Sequence, residues 1–297
     1  MRVDWRKRIE TVLRFGLYPA LLGTTLWYAW IELNQPAGQL GSYYGYYLSG
    51  LAGLMVLVET LHPLRRDWKM TGSSFFRRDL PFLIIGGTTL GLANYAGGWA
   101  ILHFGLARGD SHAALPLVPA VILALIVPDF LWYWLHRLSH EGKGRLGRWL
   151  WRVHVPHHLP EQVYVMMHSV AHPINTIAVR LILTAPLFFL GFSTEAMFVA
   201  NLILGLQGLV SHFNVDIRVG WLNYVLVGTE LHRYHHSADA AEAKNYGAVV
   251  PLWDIVFGTF VYRPEVPPRA LGVSSPSEYP ADREILRVLG LPFARLQ

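Results

Sequence analysis

The chain has 297 residues, 53% of them hydrophobic and 15% charged, with a formal net charge of +5. That balance is too apolar for an ordinary soluble domain and points to a membrane protein; the basic excess needs no nucleic-acid partner, because lysine and arginine flanking spans attract anionic lipid. No cysteine is present, which excludes disulfides, Cys-ligated iron–sulfur clusters, thiolate-ligated haem and cysteine-containing zinc sites, so any bound metal is held by nitrogen and oxygen.

In chain order, apolar stretches approach the roughly 20 residues that cross a bilayer at about 12–32, 44–61, 80–103 and 116–135. A fifth and sixth, about 176–190 and 195–211, are shorter and separated only by Gly191–Thr194, so they read as a tight hairpin rather than two full spans. Arg2, Arg6, Lys7, Arg8 and Arg14 make the N-terminus basic, yet no small-residue cleavage site follows the first stretch, so a cleavable signal is not expected. The 33–43 loop carries no Lys or Arg, and the 104–115 loop only Arg108. The segments between are basic: 62–79 carries Arg65, Arg66, Lys69, Arg77 and Arg78, and 137–152 carries Arg137, Lys143, Arg145, Arg148 and Arg152. By the positive-inside rule these segments and the N-terminus are cytoplasmic. If the hairpin enters and leaves on one side, every histidine block lies at that same face. The expected fold is all-α: a polytopic membrane protein with about four transmembrane helices plus a short hairpin, and a cytoplasmic-face helical cap carrying a histidine-rich metal site. Residues 1–115 read as membrane anchor, 116–262 as the histidine-rich catalytic region, and 263–297 as a Pro-rich tail with a short amphipathic run from Asp282 to Leu289.

Eleven of the fourteen histidines fall between His136 and His236. Imidazole lone pairs suit iron, copper, zinc and nickel, and the spacings repeat. His136 and His140 share one helix face, with Cβ atoms roughly 5–6 Å apart. His154, His157 and His158 form an HxxHH block in which Pro156 fits the first turn of a helix. His232, His235 and His236 form a second such block. Adjacent histidines point about 100° apart on a helix, so one of each pair can serve one metal and its neighbour another. Eight ligands suffice for two ions, which points to a polynuclear site. His212, following the last apolar stretch, is a candidate ninth ligand, and Asp216 a tenth. His172, before Pro173, is a further candidate ligand or support, and His168 a weaker one; His62, His103 and His112 read as isolated interfacial residues. Asp129, buried in an apolar stretch two turns before His136, is expensive there. It would be explained by orienting an imidazole through its second nitrogen, or by an interhelical polar contact.

With these residues in place, the chain resembles the fatty acid hydroxylase/sterol desaturase superfamily of membrane di-iron oxidoreductases. The resemblance runs through Asp129-Phe-Leu-Trp-Tyr-Trp-Leu-His136-Arg137-Leu-Ser-His140, His154-Val-Pro-His157-His158 and Ala171-His172-Pro173. It closes with His232-Arg-Tyr-His235-His236, Asn245-Tyr246-Gly247, and Trp253-Asp254 followed by Phe257-Gly258-Thr259, and covers about half the chain. It implies that the histidines of the three blocks are iron ligands. His212 and Asp216 correspond to an intermediate block that often reads HxxxH, with the second histidine replaced here. Two ferrous ions would activate O₂, with two electrons and protons, to hydroxylate or desaturate an unactivated C–H bond of a lipid, sterol or carotenoid drawn from the bilayer. The electrons would come from a separate cytochrome, ferredoxin or reductase, or from a pterin as in the alkylglycerol-cleaving relatives.

Two other classes compete. A membrane zinc hydrolase would need fewer histidines and a catalytic glutamate beside them, and no HExxH occurs. A metal transporter would place ligands along a polar path within or between spans. Metal stoichiometry and identity separate the three.

Overall fold

The computed structural model describes residues 5–36, 38–105 and 115–294; Arg2, Arg108 and His112 lie outside them, as does the Arg6 side chain. All six apolar stretches are helical. Helix α1 spans Trp5–Leu33, α2 Tyr44–Leu61, α3 Leu80–Phe104 and α4 Leu117–Glu141. The short α5, Gly144–His154, leads into α6, Pro173–Leu190, and α7, Thr194–Ser211. Three small helices follow: α8 Thr229–His235, α9 Leu252–Val256 and α10 Ile285–Gly290. No strand occurs among the described residues beyond one isolated bridge, Ser237 with Leu271.

Three of these helices, α4, α6 and α7, are long and apolar enough to cross a membrane by length and composition. The hairpin is longer than its hydropathy suggested. Proline is pre-organised for a first helical turn, so α6 begins at Pro173, with the His172 ring accepting from the Ile174 N–H. Gly191 then ends it in the left-handed region, φ 70°, which costs glycine nothing. Ser193 caps α7 by accepting from the Ala196 N–H at 3.2 Å. Each arm is 18 residues, about 27 Å at the helical rise, close to the thickness of the hydrocarbon core. Large apolar side chains such as Trp27, Trp30, Leu102, Leu181 and Phe189 face outward, a surface suited to lipid rather than water.

Helix α4 packs against α5, α6 and α7, α1 against α7, and α3 against α6. Polar groups pin these contacts where no water competes. Arg180 of α6 donates to Asn94 of α3 at 2.7 Å and to Asn201 of α7 at 3.3 Å. Glu59, a buried acid of α2 that the sequence reading passed over, accepts from the backbone N–H groups of Val165 at 3.1 Å and Asn214 at 3.2 Å. One side chain thereby fixes two connections that flank the histidine blocks. Below the start of α3, Arg78 is 1% exposed. Its Nε donates to Asp79 at 2.8 Å, its terminal nitrogens to Asp282 and Tyr164, and the Tyr164 hydroxyl donates to Asp79 at 2.6 Å. The C-terminal segment is thus tied to the base of α3.

Glu59→Ala orphans two buried N–H groups at roughly 1–3 kcal/mol each. Thermal unfolding in detergent should show a clear fall in the midpoint, with Glu59→Gln, which keeps an acceptor, recovering most of it.

Candidate metal centre

The last two turns of α4 carry His136 and His140 beyond the apolar stretch. Helix α5 ends on His154, and the 3₁₀ turn Val155–His157 passes the chain to His158. His212 follows α7 directly; His232 and His235 lie on α8, with His236 next. These nine side chains converge into two groups. His136, His140, His154, His158 and His235 form one; His157, His212, His232 and His236 form the other. Within each group, one ring nitrogen per residue lies within 4.8 Å of all the rest. Both adjacent pairs are split, His157 from His158 and His235 from His236, the first across a 3₁₀ turn that follows α5 where the sequence predicted a helix starting at Pro156.

The inner nitrogens are spaced for ions. Nε2 of His154 lies 2.9 Å from that of His136 and 3.0 Å from that of His158. In the second group the Nε2 separations are 3.2 Å for His157–His212, 3.0 Å for His212–His232 and 3.1 Å for His232–His236. Metal–imidazole bonds are about 2.0–2.1 Å, which puts cis ligands about 3 Å apart. Nε2 of His140 and of His235 is buried with no hydrogen-bond partner among the described residues. A bound cation supplies the partner that such lone pairs lack, so the residues fit a metal.

Their charge state fits as well. Burial, reinforced by neighbouring histidines, holds His154, His158, His232, His235 and His236 well below the usual histidine value, and burial lowers His157 to about 4. The rings are therefore neutral at physiological pH, with lone pairs free to ligate.

The second nitrogens explain which way the lone pairs face. Nδ1–H of His136 donates to the Tyr246 carbonyl at 2.7 Å, and that of His235 to the Lys244 carbonyl at 3.0 Å. His157 donates to Val170 O at 3.0 Å, His212 to Gly208 O at 3.2 Å, and His154 to Asn175 Oδ1 at 3.1 Å. An acceptor at Nδ1 fixes the tautomer and aims Nε2 inward. The Lys244–Tyr246 segment serves two rings of one group and is itself stapled. Asn245 sits in the left-handed region, φ 61°. Its amide donates to Leu231 O at 2.9 Å and Val261 O at 2.8 Å. Asp254, its carboxyl pushed up to about 6 by burial, accepts from Tyr246 N and Gly247 N, both at 2.8 Å, and from the Thr259 hydroxyl at 2.7 Å. Gly247 has no room for a side chain, since a Cβ there would lie 2.3 Å from the Val250 carbonyl.

The remaining candidates fall elsewhere. Asp129 touches no imidazole. It accepts from Ala248 N at 2.8 Å and Val249 N at 2.9 Å, so it steadies the carbonyl segment, neither orienting a ring nor joining two helices. His172 joins neither group; it caps α6 and its Nε2 bonds the Leu289 carbonyl at 3.1 Å. Asp216 is 40% exposed and pairs with Arg14 at 3.5 Å and Arg218 at 3.2 Å, so arginine rather than metal meets its charge. The His168 ring lies 5.2 Å from that of His212, beside the second group but outside its four. His103 stacks on Trp99, and His62 ends α2. Sequence patterns do not reveal Asn175, whose role depends on tertiary contact, or the carbonyls of Lys244 and Val170, which carry no side-chain signal.

His172→Ala should cost about 1 kcal/mol as a lost helix cap and leave metal content unchanged, whereas Asn245→Ala, which frees the carbonyl segment, should lower metal content; metal analysis of the purified variants checks both.

Residues 121–259 match the fatty acid hydroxylase family. An ornithine lipid hydroxylase of Rhizobium tropici is 29% identical over 279 residues, covering 87% of this chain and 81% of the relative. A putative methylsterol monooxygenase of Dictyostelium discoideum is 28% identical over 160 residues, 50% of this chain and 55% of that protein. Alkylglycerol monooxygenase of Homo sapiens is 30% identical over 139 residues, 46% of this chain and 29% of the relative. No solved structure matches the chain. The matched stretch contains all nine converging histidines and the Asp129, Asn245 and Asp254 supports, and through it the chain is similar to the fatty acid hydroxylase family and is an oxidoreductase of the fatty acid/sterol hydroxylase type.

Proposed function

We propose that the chain is a membrane-bound di-iron oxygenase that hydroxylates an unactivated C–H bond of a membrane lipid, using O₂ and two electrons from a separate donor. The observation that carries this reading is the pair of histidine groups, five and four, each with its ring nitrogens within 4.8 Å of one another. His136, His140, His154, His158 and His235 would hold one iron; His157, His212, His232 and His236 the other. Bound there, the two irons supply O₂ activation and C–H oxidation.

The chain's own residues supply position and enclosure. Nδ1 acceptors hold the rings in place, and neutral imidazoles bring no charge repulsion to the centre. Trp132 and Tyr246 pack on the first group, their ring centroids 4.9 Å and 5.7 Å from that of His136, and both are buried, which keeps water off that side. A lipid substrate is supported by the similarity to the ornithine lipid hydroxylase, which covers 87% of the chain and so extends beyond the histidine-bearing part. Hydroxylation is supported over desaturation by relatives named as hydroxylases and monooxygenases. The basic 62–79 and 137–152 segments support a cytoplasmic histidine face, where a soluble electron donor would reach it.

Purified protein reconstituted with iron, a chemical reductant and extracted membrane lipids should place one oxygen atom from ¹⁸O₂ into a lipid, read by mass spectrometry. His235→Ala should abolish this product. Label arriving from H₂¹⁸O without any O₂ requirement contradicts an oxygenase and favours a hydrolase.

A further inference from the structure

Trp151 lies in the last turn of α5, half-buried, with its ring centroid 5.1 Å from that of His140 and 5.7 Å from that of His158. On its far side the indole N–H donates to the Tyr279 hydroxyl at 2.8 Å. Tyr279 in turn lines a cavity of about 410 Å³ together with Arg78, Glu161, Gln162, Asp282 and Arg283. These residues make a continuous line from two histidines of the five-membered group, through an indole and a phenol, to a polar cavity under the C-terminal segment. Nothing in positioning a lipid calls for it. Because the phenol oxygen accepts from the indole, the Tyr279 O–H proton points away from Trp151 and is free to leave.

We propose that Trp151 and Tyr279 form an electron path between the five-histidine group and this cavity, with Tyr279 as the oxidisable terminus. The proposal rests on the oxygenase reading above. When the centre is oxidised with no lipid in reach, Trp151 passes one electron to it and Tyr279 returns one electron to Trp151. The phenolic O–H bond breaks, its proton passes to water or a carboxylate in the cavity, and a neutral tyrosyl radical remains. A soluble hydrogen-atom donor of the ascorbate or thiol class, admitted by the cavity, then restores the phenol. In sum the donor loses one hydrogen atom, the centre gains one electron and the solution gains one proton. The path diverts an oxidising equivalent that would otherwise attack the ligating imidazoles.

Tyr246 is the internal comparison. Its ring lies 5.3 Å from that of His140, but its hydroxyl donates to Glu141 at 3.0 Å and the residue is 1% exposed, so it has no outlet to the cavity.

The test uses iron-loaded holoenzyme in detergent, reduced anaerobically, mixed with O₂ in the absence of lipid and freeze-quenched for EPR. Wild type should give an organic radical whose hyperfine pattern changes when ring-deuterated tyrosine is incorporated. Tyr279→Phe and Trp151→Phe should each lose that signal while iron content stays at the wild-type level. The path is overturned by an unchanged signal in Tyr279→Phe or by loss of the signal only in Tyr246→Phe. It is equally overturned if wild type binds iron and oxygenates lipid without giving any tyrosine radical. Wild type that binds no iron overturns the oxygenase reading itself, a result that metal analysis separates from the others.

Discussion

The structure depends on one constraint: nine imidazoles are packed together, six of them buried and three partly buried, and each must keep a lone pair facing inward. Burial alone would be costly, since a polar ring taken out of water needs partners for its nitrogens. The outward nitrogens of five rings find theirs in four main-chain carbonyls and one asparagine oxygen. The inward nitrogens face one another at distances that a metal ion, and little else, reconciles. The site is therefore as much a property of backbone placement as of histidine number.

Backbone placement in turn relies on polar side chains away from the histidines. Asp129, Asn245 and Asp254 form the scaffold of the 244–249 segment, and Glu59 ties down the segments around Val165 and Asn214. These are buried and almost wholly satisfied, the condition under which polar networks rigidify a core rather than weaken it. The single exception among the scaffold acids is Asp129 Oδ2, which has no partner among the described residues and lies near the space a Gly247 side chain would occupy. Rigid support around a metal site matters because small displacements of ligands degrade affinity and reactivity alike.

Much of this was legible in the sequence. Hydropathy located all six long helices, because apolar runs of this length have few other solutions in a membrane. Histidine spacing named eight of the nine converging residues, because i and i+4 positions share a helix face, and His212 was named by its place at the end of the last apolar stretch. What failed were inferences that needed tertiary partners. Asp216 carried the right spacing from His212, but the chain leaves α7 at His212, so helical periodicity no longer applies and two arginines claim the carboxylate. His172 matched a ligand spacing too, yet Pro173 starts a helix there and turns the ring into its cap. Asp129 reads from sequence as a buried acid with a purpose, orienting an imidazole or bridging helices, whereas its partners are the backbone N–H groups of Ala248 and Val249. Glu59, equally buried in an apolar helix, carries no sequence signal of its role because its partners are backbone N–H groups far along the chain. The hairpin was read as short because hydropathy does not register a proline's aptitude for a first helical turn.

The central claim is that the two histidine groups hold a pair of irons. Protein expressed on ⁵⁷Fe, purified anaerobically in detergent, and examined by total metal analysis with Mössbauer spectroscopy tests it most directly. About two irons per chain are expected, one for each of the two histidine groups, with spectra showing the irons coupled. One zinc per chain and no iron after iron-replete expression would contradict it.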